Sequence, residues 1–137
     1  MNAAGDASPK PILVEVGAGE LLDKVTILRI KRERIADPAK LASVARELLA
    51  LEPSRSALLA EFPAAAALEA ELERVNEALW EIEDSIRQCE ARKDFGPRFV
   101  ALARAVYQNN DKRAEIKKTI NILSNARIVE EKSYFVN

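Results

Sequence analysis

Apolar residues recur along this chain in three rhythms. Between Pro11 and Gly17 the run Ile12-Leu13-Val14-Glu15-Val16 is short and β-branched, which predicts a strand of about five residues. One strand needs a partner. The comparable piece is Ser133-Tyr134-Phe135-Val136, so the two ends are expected to pair with each other, or one of them across a subunit interface. From Gly19 the rhythm becomes helical, with Leu21, Leu22, Val25, Leu28 and Ile35 on one arc and Ile27 and Ile30 widening it. Asp37-Pro38 then supplies the N-cap and first-turn residues of a second helix, whose buried face carries Leu41, Val44, Ala45, Leu48 and Leu49. Pro53 has no N–H for the helical ladder and is expected to break or kink this helix. A short segment, Ser54 to Phe62, then precedes a helix begun at Pro63.

The third rhythm is the most regular. Leu68, Leu72, Val75, Leu79, Ile82, Ile86 and Cys89 alternate spacings of four and three, the 3.5-residue repeat of a coiled-coil seam. Asp94-Phe95-Gly96-Pro97 stops one helix and starts another, and the repeat resumes at Phe99, Leu102, Val106, Asn109, Arg113, Ile116, Ile120 and Leu123. If the chain folds back near residue 94, Cys89 meets Phe99, Ile86 meets Leu102, and so on to Leu68 against Ile120, each pair of numbers adding to one constant. The pattern therefore predicts an all-α fold: an antiparallel helical bundle built on a long hairpin, about 64–92 and 97–124, each arm about 40 Å at 1.5 Å per residue. Short β segments are allowed only at the two ends. Residues 1–11, with Gly, Ser and two prolines, are expected to be disordered, leaving 12–137 as a single helical-bundle domain.

Composition narrows the chemistry. The 137 residues carry 21 Lys and Arg against 22 Asp and Glu, a formal charge of -1, so no global field draws the chain to nucleic acid or an anionic membrane. Arg29, Lys31, Arg32 and Arg34 form a local basic cluster, but Glu33 interrupts it and no aromatic platform accompanies it, so a solvated helix face is the reading. No leader pattern and no long apolar run appears, which argues for the cytoplasm and against membrane insertion. With no histidine and one cysteine, Cys89, there is no Ser-His or Cys-His pair, no imidazole base and no ordinary zinc site. No metal and no cofactor is expected, and no catalytic residue is assigned.

Asn109 and Arg113 interrupt the apolar stripe of the fourth helix, opposite Leu79 and Val75. A buried Arg needs a carboxylate: Glu77, Glu83, or, from the first helix, Glu20, Asp23 or Glu33. Trp80 offers its guanidinium a stacking surface. The candidate polar layer is thus Trp80, Glu83, Asn109, Asn110, Asp111, Arg113 and Lys117. It reads first as a register device, second as a pocket for an anionic or sugar-like ligand, and third as a catalytic site using Asp111 and Glu83. In the first case Arg113→Leu should cost no stability.

Several blocks resemble a known family. Gly19-Glu20-Leu21-Leu22-Asp23-Lys24-Val25-Thr26-Ile27-Leu28, then Leu79-Trp80 with Ile82-Glu83-Asp84, then Asn110-Asp111 with Arg113-Ala114, and Glu130-Glu131-Lys132-Ser133-Tyr134 look like an uncharacterised bacterial helical family catalogued only as a domain of unknown function. The resemblance runs from about residue 14 to 134 and implies a compact bacterial helical protein and no reaction; some members of that family occur beside surface-polysaccharide and glycosyltransferase machinery. The function expected is an interaction or scaffold module, a homodimer because the apolar girth of the first helix exceeds what one hairpin covers, with a protein partner. The alternative is a binder or enzyme for an anionic metabolite or nucleotide-sugar, using the layer around Arg113.

Overall fold

The computed structural model describes residues 9–125 and Ser133. Four helices follow one another: α1 (Ala18–Arg34), α2 (Pro38–Glu61), α3 (Ala65–Ala91) and α4 (Pro97–Leu123). The fold is all-α, and no strand occurs among the described residues. Residues 12–16 lie in no regular element, with Ile12, Leu13 and Val14 strongly exposed. Their expected partner, apart from Ser133, lies outside the described residues, as does most of the N-terminus expected to be disordered.

α3 and α4 form the long hairpin within a residue of the expected bounds. Its register follows from the residues brought together: Glu71, Arg74 and Val75 of α3 sit beside Asp111, Lys112, Glu115 and Ile116 of α4, as a turn near residue 94 requires. The turn itself is a Schellman motif. Lys93 N–H donates to Glu90 O and Asp94 N–H to Cys89 O, while Lys93 takes a left-handed φ of 55°. Asp94 Oδ1 then accepts from Gly96 N–H, and Pro97 opens α4 where a missing N–H costs nothing.

α1 packs against α2, α3 and α4 alike. Its broad apolar girth is therefore absorbed within one chain: Leu22, Val25, Leu28 and Ile30 are buried. The central core joins Leu22, Ala65, Leu72 and Ile120, with Leu58 and Leu59 of α2 and its C-cap residue Phe62 closing one side.

α2 starts as expected, with the Asp37 carboxylate accepting from Lys40 N–H at 2.9 Å and Pro38 in the first turn. It does not end at Pro53, which lies inside a continuous helix of 24 residues. Pro53 and Leu49 both face solvent, so water can satisfy the Leu49 carbonyl that lost its donor. Beyond it, Arg55 is clamped to Glu69 and Leu58, Leu59 and Phe62 are docked on the core, which holds the last turns in place.

Candidate functional site

The site grows from the first turns of α1. Spacings of three and four put Gly19, Asp23 and Thr26 on one face, and that face meets α3 and α4. Gly19 lies so close to α4 that an added Cβ would stand 2.4 Å from the Lys117 carbonyl oxygen, so only glycine admits this approach. Its N–H, one of the unpaired donors of a helix start, is met by Asn121 Oδ1 at 2.8 Å.

This approach seats Asp23 in a complete polar shell. Asp23 is 1% exposed. Arg113 grips it with two parallel bonds, Nε to Oδ1 at 2.9 Å and Nη2 to Oδ2 at 2.5 Å. Asn76 of α3 donates to Oδ1 at 2.9 Å and to Thr26 Oγ1 at 3.0 Å, and Thr26 donates to the Asp23 carbonyl. Lys117 sets its ammonium 2.7 Å from Glu20 and 3.7 Å from Asp23 Oδ2. Burial pushes the Asp23 carboxyl up. The hydrogen bonds from Arg113 and Asn76, with the charges of Arg113 and Lys117, outweigh it and hold the carboxyl below its ordinary value. It is a fixed anion at neutral pH, suited to clamping helices rather than to moving protons.

A second cluster lies nearby. Glu69, also buried, accepts from Arg55 Nε at 2.7 Å and Nη2 at 2.8 Å, and Arg29 stands 3.6 Å away while also reaching Glu73. Burial raises the Glu69 carboxyl; Arg55 and Arg29 more than reverse this. The clusters tie α1 to α3 and α4, and α2 to α3. Among the described residues every buried side-chain nitrogen and oxygen has a partner.

Of the predicted layer, the structure brings together Asn110, Arg113 and Lys117: Arg113 Nη1 also donates to Asn110 Oδ1 at 3.5 Å. Asn109 turns to its own helix and donates to Ala105 O. Glu83 is exposed and pairs with Arg87, so the carboxylate that meets Arg113 is Asp23, one of the three that α1 offered. Asp111 lines an open groove of about 550 Å³ between α3 and α4, together with Glu71, Arg74, Lys112 and Glu115; Glu83 is not among the residues that line it. Trp80 is half-buried on α3. The sequence reading missed Asn76, Thr26, Glu69 and Asn121. A signal existed: Glu69 and Asn76 are seven apart, as are Asn110 and Lys117, each in a column flanking the seam on the side α1 occupies. Among the described residues no group of His, Cys, Asp and Glu converges in a way that could hold a metal ion.

The chain belongs to a family of unknown function, DUF6165, whose model matches residues 12–137. No curated protein and no solved structure matches it.

Proposed function

We propose that this member of the family is an interaction module that works as a cytoplasmic homodimer: a rigid platform of α1 and α2 carrying a two-helix arm that makes contact with other chains. The observation that favours an interaction module over a ligand site at Arg113 is the closed state of the Asp23 shell, in which Arg113, Asn76, Thr26 and Lys117 are engaged by the protein's own groups; a homodimer would cover Val100 and Tyr107, which α4 leaves exposed. A ligand entering there would have to displace a two-bond ion pair, and a buried carboxylate left unpaired costs on the order of 3–5 kcal/mol. No helix among the described residues is long and apolar enough to cross a membrane. Because the resemblance implies that some members of the family occur beside surface-polysaccharide and glycosyltransferase machinery, a partner is sought there.

The competing reading, a binder of anionic metabolites or nucleotide-sugars at Arg113, is separated by titration. Nucleotide-sugars and dicarboxylates added at millimolar concentration should leave the thermal midpoint and the Arg113 side-chain NMR signals unmoved. Saturable stabilisation, which reaches roughly 2.7 kcal/mol at 100 times the dissociation constant, with Arg113 signals shifting in step, would overturn the interaction-module reading.

A further inference from the structure

α1 stops short of the turn end of the hairpin. Its 17 residues span about 25 Å against about 40 Å for each arm. It also runs obliquely: Gly19, Glu20 and Asp23 engage Asn121, Lys117 and Arg113 of α4, whereas the ion pairs of its last turns, from Arg29 and Arg34, go to Glu69, Glu73 and Glu81 of α3. Residues 100, 103, 107, 110, 114, 117 and 121 of α4 form one column at spacings of three and four. Its lower members, Lys117 and Asn121, are polar, buried and bonded to α1. Its upper members are apolar and bare: Val100 is 52% exposed, Tyr107 53%, and Ala103 between them is exposed. Towards the turn the matching column of α3 carries Glu83, Arg87 and Glu90, all exposed, and Glu83 pairs with Arg87 at 3.6 Å.

These upper columns are self-complementary. In the hairpin register Ala103 lies level with residue 85 of α3. A two-fold axis through that level, perpendicular to the helices, runs α4 antiparallel to its copy. The small Ala103 then sits at the crossing, where backbones approach, and Val100 falls within one residue of Tyr107 of the partner subunit. On α3 the same axis sets Glu83 against Arg87 of the partner subunit, and Arg87 against the partner's Glu83. We infer that the exposed turn end of the hairpin is the homodimer surface: two copies join α4 to α4 and α3 to α3 about this axis, closing a four-helix contact in which the Glu83–Arg87 pairs are exchanged between chains. This rests on the homodimer reading above and names its surface.

The test is light scattering of the full chain from about 5 to about 500 µM, because association follows mass action. Circular dichroism and the melting midpoint confirm that each variant is folded. Wild type should pass from monomer to dimer over this range. Tyr107→Glu and Glu83→Arg should each weaken association at least about tenfold, and Glu83→Arg combined with Arg87→Glu should restore most of it, because the swapped charges are again opposite across the axis. Under mild oxidation Ala103→Cys should give a disulfide-linked dimer, since facing Cα atoms within about 7 Å can be bridged. Buried Cys89 serves as the unreactive control. A wild-type dimer untouched by Tyr107→Glu and Glu83→Arg would overturn this surface and leave the homodimer reading standing. A wild-type chain still monomeric at the highest concentration would overturn both.

Discussion

Asp23 has both carboxylate oxygens and its whole side chain inside the protein, so its stability contribution depends on partners rather than solvent. Arg113→Leu removes the guanidinium and leaves that anion with Asn76 and a Lys117 ammonium 3.7 Å away. The expected cost in a urea titration is about 3–5 kcal/mol. This corrects the expectation that a purely structural Arg113 could be replaced freely: the pair can be exchanged for apolar groups together, but one member cannot be withdrawn alone. Asp23→Leu with Arg113→Leu should therefore recover at least half of the loss, and a double variant no better than the single would refute the pairing argument. Gly19 makes a different kind of demand. A methyl group there would press on the α4 backbone, which cannot rotate aside as a side chain can. Gly19→Ala should cost about 1–3 kcal/mol although alanine is the better helix former, a reversal of sign that reports the close approach directly.

At the scale of the helix, what the sequence discloses depends on whether the causal contact is near or far along the chain. The hairpin was legible because a seam is a local repeat, and Asp37-Pro38 was legible because cap and helix are adjacent. Pro53 does not end α2 because the forces that carry the helix past it come from far along the chain: Arg55 bonds Glu69, 14 positions away, and Phe62 packs on a core that includes Leu22 and Ile120. The polar layer was half legible for the same reason. Arg113 stands out within its stripe, but its partner is 90 positions distant, and Asn76 reads as an ordinary surface residue until α1 is laid over it. The turn after α3 carries one local inconsistency, since Lys93 occupies a left-handed conformation that a Cβ disfavours. Lys93→Gly should stabilise the protein by about 1 kcal/mol and leave the hairpin intact, which a thermal midpoint and an unchanged circular dichroism spectrum would verify.

For the molecule as a whole, the two buried carboxylates make acid the agent that should loosen the helices from one another. Asp23 joins α1 to α3 and α4; Glu69 joins α2 to α3, with Arg29 of α1 beside it. Both carboxyls are held below their ordinary values of 3.8 and 4.5, because the surrounding Arg and Asn groups prefer the anion more than burial opposes it. A group depressed in this way gives its full stabilisation above the unfolded-state value and loses it as pH falls through the folded one. Stability should accordingly be level from neutrality to about pH 5 and then decline steeply below about pH 4. Asp23→Asn, already without the titrating group, should begin lower and show a shallower acid decline. Urea midpoints at pH 7, 5, 4 and 3 for both proteins decide it. Parallel curves would mean that the Asp23 shell contributes nothing to the acid transition, and that the clamp between α1 and the hairpin is apolar packing alone.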